Sequence, residues 1–238
     1  MNNFFHEIIN FTIYGKCKIT KTNSINKLLI LGRCIFLLIV LVSSLSLISI
    51  LLEPSVNYKL NSNRVDNSYI IILLLLCTPI IEELTFRLFL TKFKKSYFIV
   101  SSSLISSFLT LLVFKDYFIA QINYNHSFID YILLIPLFGI YYVIIRIILT
   151  DKLEAVLMNI WENYFVIILH IVTILFAVMH IHNIEQGTLL SILFVTVMPK
   201  YFIGIILGFV RLKIGLLFSI ILHLIINLPY TIYTLTSL

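Results

Sequence analysis

Long apolar runs separated by short polar segments organise the whole chain. Several runs reach about 20 residues, the length that an α-helix needs to cross the hydrocarbon core of a bilayer. The pattern therefore predicts an all-α, polytopic transmembrane helix bundle of about seven spans. The predicted spans are 31–52, 69–90, 97–114, 129–149, 164–183, 188–210 and 214–235, with a slightly acidic loop at 150–163. Pro199 and Lys200 fall inside the sixth span and predict a break there.

The composition of the chain is far more apolar than that of a soluble domain. Of its 238 residues, 60% are hydrophobic and 12% are charged, whereas soluble domains are about half apolar and a quarter charged. Cys17, Cys34 and Cys77 are scattered and predict neither a disulfide framework nor a metal site. No small-residue cleavage site precedes the first long apolar run, so we expect no removable signal peptide. Abundant Ile, Asn and Lys are typical of an AT-rich genome, and we expect an integral protein of a bacterial inner (cell) membrane.

Basic residues lie mainly at the ends of the predicted spans. The net charge is +6, but this placement sets membrane topology and gives no reason to expect a nucleic-acid partner. The clusters are Lys16, Lys18, Lys21 and Lys27 before the first span, Lys92, Lys94 and Lys95 after the second, and Arg211 and Lys213 after the sixth. Because alternating spans put these clusters on one side, the positive-inside rule predicts a cytoplasmic N-terminus and an outer C-terminus.

Three ionisable side chains interrupt the second apolar run, in the stretch TPIIEELTFRLFL at 78–90. A charge at mid-bilayer costs about 3 kcal/mol, so such groups are rare unless they are paired or functional. Glu83 and Arg87 are four residues apart and can pair on one helix face, whereas Glu82 points about 100° away. One carboxylate can therefore be held by Arg87 while the other faces a cavity. Neighbouring carboxylates also push their pKa values apart, which is how a carboxylate becomes a general base near neutral pH. A salt bridge that only anchors the bundle would explain Glu83 but not Glu82.

Two further polar pairs lie in the fifth and seventh predicted spans. Phe176 and His180 are one turn apart in FAVMHIHN, and His223 and Asn227 are one turn apart in HLIINLPY. An imidazole and an amide on one helix face are suitable donors to an oxyanion. A membrane histidine can also be a base, a metal ligand or a hydrogen-bonding group between helices. For His170, in the same span as His180, we predict a role in helix packing.

In this order the motifs resemble the CPBP family. They are Glu-Glu-x-x-x-Arg at 82–87, Phe-x-x-x-His at 176–180 and His-x-x-x-Asn at 223–227, and the stretch 204–227 resembles the family's last core segment. The family comprises intramembrane proteases, among them the type II CAAX prenyl endopeptidases and bacterial bacteriocin-processing and immunity proteins. Two additional predicted spans between the first and second motifs mark a divergent subfamily.

The resemblance implies an organisation of the chain. A protease domain would occupy 69–238, with an inserted helical pair at about 97–150, after an N-terminal segment, first span and outer loop at 1–68. Within it, a four-helix catalytic core would comprise the spans that hold Glu82, His180 and His223 and the span before the last.

The resemblance also implies roles for the motif residues. Glu82 would activate a water, His180 would hold that water, and His223 and Asn227 would stabilise the oxyanion, with Glu83 and Arg87 supporting Glu82. The family is often called a metalloprotease group, so zinc on Glu82, His180 and His223 is one alternative. We favour a metal-free glutamate mechanism, since the chain has no His-Glu-x-x-His helix.

Three functions stay open from the sequence. The first is an intramembrane endopeptidase whose partners are the lipid bilayer and a peptide or membrane-anchored protein substrate. The second is a non-catalytic membrane binding or immunity protein of the same family. The third is a transporter or proton relay, which would predict inverted repeats that the sequence lacks.

Overall fold

The computed structural model of the chain describes residues 2–15, 17, 23–52, 59–60, 68–120, 126–186 and 188–236. Their helices are α1 (Asn2–Tyr14), α2 (Ser24–Leu52), α3 (Ser68–Phe86), α4 (Lys95–Ala120), α5 (His126–Ile148), α6 (Asp151–Met179), α7 (Leu189–Ser191), α8 (Met198–Ile214) and α9 (Leu216–Thr236). A short antiparallel pairing joins β1 (Lys59–Leu60) to β2 (Ile184–Gln186). The predicted all-α fold is confirmed.

Four described helical segments are long and apolar enough to cross a membrane. They are Ser24–Ile48, Lys95–Phe114, Asp151–Met179 and Ile192–Ile214, and two shorter apolar helices span Leu133–Ile148 and Leu216–Pro229. Large apolar side chains on these helices are exposed, for example Phe36 on α2 and Ile147 on α5. Such faces suit contact with lipid. The chain is an integral membrane protein, and the count of seven spans stays a prediction.

The chain divides into two compact units. Unit 1 comprises Met1–Ser62 and Tyr164–Ile226, and unit 2 comprises Asn63–Asn163 and Asn227–Leu238. In unit 1, α1 and α2 pack against α8, and in unit 2, α4 packs along α5 and against α3. One boundary coincides with a kink in α6 at Tyr164, whose backbone is not helical (φ −122°, ψ 23°). The domain boundary expected at 68–69 stays a prediction.

The sequence analysis did not predict the N-terminal helix α1. Phe4 and Phe11 are buried and pack edge-on against Phe209 of α8, with ring centroids 6.0 Å and 5.7 Å away. The helix stops at Gly15, whose φ of +63° favours glycine. A Cβ on Gly15 would lie 2.7 Å from Cδ1 of Phe165. Positive φ and close packing therefore both require glycine at this position.

Three predicted boundaries are wrong in informative ways. The loop expected at 150–163 is helical, because α6 begins at Asp151, and the acidic Asp151 and Glu154 in its first turn favour a helix N-terminus. The fifth span was expected to reach residue 183, but α6 ends at Met179 and a 3₁₀ turn, His180–Asn183, follows. The second span was expected to reach residue 90, but α3 ends at Phe86 and turns follow.

The sixth predicted span changes helix type where a break was expected. A π-helical segment, Ile192–Val197, leads into α8, which continues to Ile214. Pro199 sits in the first turn of α8, directly after the π-helical segment. Pro199 and Lys200 therefore lie in regular helix, and the irregularity precedes them.

Candidate active site

A buried ion pair lies at the C-terminal end of α3, in unit 2. Glu83 is fully buried and Arg87 is 1% exposed, with 3.7 Å between Arg87 Nε and Glu83 Oε1. The backbone N–H of Arg87 donates to the Glu83 carbonyl at 2.9 Å, so the pair spans the end of the helix. The predicted i,i+4 ion pair is confirmed.

Side chains from α4 and α6 fix the turn that carries Arg87. The Ser101 hydroxyl donates to the Leu84 carbonyl at 2.8 Å, and the Trp161 indole N–H donates to the Thr91 carbonyl at 2.9 Å. The Leu84 carbonyl lies in the last turn of α3, where carbonyls need donors from outside the helix. The sequence analysis missed both residues, since no local pattern links a serine or tryptophan to so distant a turn.

Glu82 and Glu83 occupy different environments although they are adjacent. Glu83 is fully buried beside Arg87, whereas Glu82 is half-buried. The positive charge of Arg87 acts on both carboxylates. Because one arginine balances only one carboxylate, the group carries one negative charge in excess when both glutamates are ionised. The ion pair of Glu83 agrees with the prediction, whereas a cavity beside Glu82 and its role as a base stay predictions.

Phe176 joins the second and third motifs within unit 1. Its fully buried ring lies edge-on to His180, with centroids 4.7 Å apart, and edge-on to His223, with centroids 5.9 Å apart. His180 follows directly after α6, and His223 lies 1% exposed in α9. Two histidines that are far apart in the sequence are therefore gathered around one aromatic ring.

One hydrogen bond determines the tautomer of His180. Its Nδ1 lies 2.8 Å from the Phe176 carbonyl oxygen, and a carbonyl oxygen can only accept. Nδ1 therefore carries a proton, and in the neutral imidazole the lone pair is on Nε2. A lone pair on Nε2 suits His180 either to accept a hydrogen bond from water or to bind a metal.

His170 has the packing role that the sequence analysis predicted. Its Nε2 donates to the Thr12 carbonyl of α1 at 3.0 Å, and its Nδ1 accepts from the Tyr201 hydroxyl of α8 at 2.7 Å. The Thr12 carbonyl lies in the last turn of α1, where carbonyls take donors from outside the helix. His170 thus connects three helices of unit 1.

The motif residues are distributed over both units. Glu82, Glu83, Arg87 and Asn227 belong to unit 2, and Phe176, His180 and His223 belong to unit 1. Asn227 is half-buried, and its backbone carbonyl accepts from the Thr231 hydroxyl at 3.2 Å. The structure brings together the residues of each buried cluster, and the role of Asn227 beside His223 stays a prediction.

The zinc alternative fits His180 but stays a prediction. Histidines that bind zinc usually donate their second ring N–H to a carbonyl or carboxylate, as His180 does to Phe176. Across the residues that the structure describes, no group of three or more His, Cys, Asp or Glu side chains is placed to hold a metal. Support for zinc on Glu82, His180 and His223 is therefore limited to the hydrogen bond between His180 Nδ1 and the Phe176 carbonyl.

Comparison with known families supports the resemblance. Residues 143–229 match the family model described as Type II CAAX prenyl endopeptidase Rce1-like. This segment of the chain is similar to that family. The matched segment contains the clustered His180 and His223 as well as Asn227, and it begins after Glu82, Glu83 and Arg87. Comparison with curated proteins and with solved structures found no match.

Proposed function

We propose that this CAAX protease-like chain is an intramembrane endopeptidase that cleaves a membrane-associated protein or peptide. The observation that carries the proposal is the pairing of His180 and His223 around Phe176 inside the matched segment. The Glu82–Glu83–Arg87 group supplies the carboxylate chemistry that such a pair lacks. Peptide hydrolysis needs an activated water and a fixed stabiliser of the oxyanion.

In the proposed reaction, Glu82 takes a proton from a water molecule, and the water oxygen attacks the carbonyl carbon of the scissile bond. His180 orients the water through Nε2. His223 and Asn227 donate hydrogen bonds to the oxyanion that forms as the carbonyl π bond opens. Collapse of this intermediate breaks the C–N bond, and Glu82 returns its proton to the leaving amine. Glu83 and Arg87 hold the end of α3 and act as positioning residues.

The test compares protein termini in a host that lacks its own copy of the protein. The wild type, Glu82→Gln and Glu162→Gln are expressed at equal levels, and new termini are mapped across membrane and secreted proteins. Glu162 is an exposed carboxylate on α6, so Glu162→Gln is a matched control for the loss of one charge. We expect termini that appear with the wild type and Glu162→Gln but not with Glu82→Gln. Identical termini with the wild type and with both variants would refute the proposed protease.

A non-catalytic binding or immunity role is the second candidate. One observation favours it: the family match begins at residue 143, after the proposed base Glu82. In that case a host phenotype would be rescued equally by the wild type and Glu82→Gln, without new termini. Rescue by the wild type alone, with new termini, would leave only the protease.

A further inference from the structure

Unit 2 contains a cavity that takes no part in the proposed chemistry. Its volume is about 610 Å³, and it is lined by Lys94, Lys95, Ser96, Ile99, Tyr142 and Arg146. Small-molecule sites typically measure about 300–1,000 Å³. Lys94–Ile99 lead into the first turn of α4, and the other two residues lie in the last turns of α5. Because the apolar span of α4 begins at Lys95, the cavity lies at the level where an apolar helix meets lipid headgroups.

The basic side chains of this cavity are unequally compensated. Lys95 pairs with two carboxylates of α6, at 2.8 Å to Glu154 and 3.5 Å to Asp151. Among the described residues, no carboxylate forms an ion pair with Lys94 or Arg146. Within the part of the chain that the structure describes, these two positive charges therefore have no carboxylate counter-ion, which favours an anionic ligand.

The surroundings of these two charges are amphipathic. The Lys94 ammonium lies 4.8 Å from the centre of the Tyr97 ring, which positions the charge without neutralising it. On α5, within a turn of Arg146, the apolar side chains of Val143 and Ile147 are 55% and 73% exposed. A ligand that combines a negative headgroup with apolar chains would use both features.

We propose that the cavity binds the phosphate of an anionic phospholipid, with Lys94 and Arg146 as its counter-ions. Basic pockets between membrane helices are suited to anionic headgroups, and the exposed face of α5 provides a surface for the acyl chains. A soluble phosphate shares the headgroup chemistry but gains nothing from that face. The proposal is independent of whether the chain cleaves a peptide bond.

The single tryptophan of the chain, Trp161, allows a direct measurement. Its indole packs against Phe93 and Phe98, at 5.9 Å and 6.4 Å between centroids, on either side of Lys94 and Lys95 in the sequence. The full chain is reconstituted in bilayers, and quenching of Trp161 by brominated phosphatidylglycerol is compared with quenching by brominated phosphatidylcholine. Each basic side chain near a membrane surface adds about fivefold to the affinity for an anionic lipid. We expect phosphatidylglycerol to bind at least about fivefold more tightly.

Two double variants separate a site from general surface charge. Lys94→Gln/Arg146→Gln removes both uncompensated charges of the cavity, and Lys92→Gln/Lys152→Gln removes two exposed charges outside its lining. All four side chains are exposed, so both variants keep the core intact. We expect the first variant to lose the preference for phosphatidylglycerol and the second to retain it.

Three outcomes would overturn the proposal. The wild type would show no preference between the two lipids, or both double variants would lose the preference equally, which is the behaviour of unspecific attraction. In the third, inorganic phosphate would abolish the preference while chloride at the same ionic strength would not. That last result would assign the cavity to a soluble phosphate.

Discussion

His170 and His180 lie on the same stretch of unit 1, and their contacts assign them different roles. The ring nitrogens of His170 bond to Thr12 in α1 and to Tyr201 in α8. His180, directly after α6, bonds through Nδ1 to the Phe176 carbonyl in the last turn of α6, and both histidines of the cluster, His180 and His223, contact the Phe176 ring. His170 connects helices, whereas His180 lies in a cluster with a second histidine, His223.

The residue type alone therefore does not show what a membrane histidine does. A histidine whose two nitrogens bond to other helices contributes net hydrogen-bond energy and would leave buried polar groups unsatisfied if removed. A histidine with a fixed tautomer beside a second histidine is prepared for proton chemistry. A change at His170 should therefore act mainly on stability, and a change at His180 mainly on activity.

The largest expected effect is on activity. His180→Ala should lower the cleavage rate by about a hundredfold or more, because it removes the group that orients the attacking water. The unfolding midpoint should stay near that of the wild type, since His180 lies past the end of α6 and is half-buried. The measurement is cleavage of a substrate identified by terminus mapping, with thermal unfolding of the same preparations. Loss of both activity and stability would assign His180 to packing, like His170.

The next effect concerns the thiol of Cys17, which follows α1 outside the predicted spans. Burial raises its pKa from 9.0 to about 11, an effect that Lys213 opposes and Glu7 reinforces. Below pH 9 the thiolate fraction should therefore be about a hundredfold smaller than that of an unperturbed thiol. Alkylation followed by peptide mapping should show this slow reaction, with a rate that still rises above pH 9.

The same thiol reports whether His170 holds α1 in place. In His170→Phe, α1 loses the contact to its Thr12 carbonyl, so Cys17 should react faster at a given pH. Tyr201→Phe, which keeps the bond to Thr12, is the matched control and should change the rate little. Equal rates in the wild type and His170→Phe would show that α1 stays docked without His170.

His170→Phe should also lower the free energy of unfolding, by about 2 kcal/mol, because two hydrogen bonds of about 1 kcal/mol each are lost from a partly buried site. Tyr201→Phe removes one of these bonds and should cost about 1 kcal/mol. Unfolding can be followed through Trp161 emission, with cleavage measured in parallel. Cleavage per folded molecule should be unchanged, and a selective loss of cleavage in His170→Phe would erase the contrast between the two histidines.

Local features of this fold were predictable from the sequence, and distant ones were not. Apolar runs predicted most of the long helices, and the four-residue spacing predicted the Glu83–Arg87 pair, because both depend on neighbours along one helix. Helix α1 was missed because Phe4 and Phe11 pack against Phe209, a residue far away in the sequence. The start of α6 was mistaken for a loop, since its charged first turns interrupt the apolar run.

The candidate site follows the same division. Its motif residues could be chosen from spacing and from the cost of placing charge in lipid. The ring contact that links His180 to His223 through Phe176 depends on how α6 and α9 pack, which no local pattern encodes. Ser101 and Trp161, which fix the turn after α3, are likewise contacts between separate helices.

The smallest expected effect tests the second anchor of α1. Lys213 is 5% exposed, and its ammonium lies 3.0 Å from both carboxylate oxygens of Glu7. Glu7→Gln keeps an oxygen acceptor but removes the charge, so we expect a loss of about 1 kcal/mol in unfolding free energy, reduced because Glu7 is partly exposed to solvent. Glu162→Gln, the exposed control, should change it by less than about 0.5 kcal/mol. If Glu7→Gln cost more than His170→Phe, the ion pair rather than the histidine would be the main anchor of α1, and the packing role of His170 would be secondary.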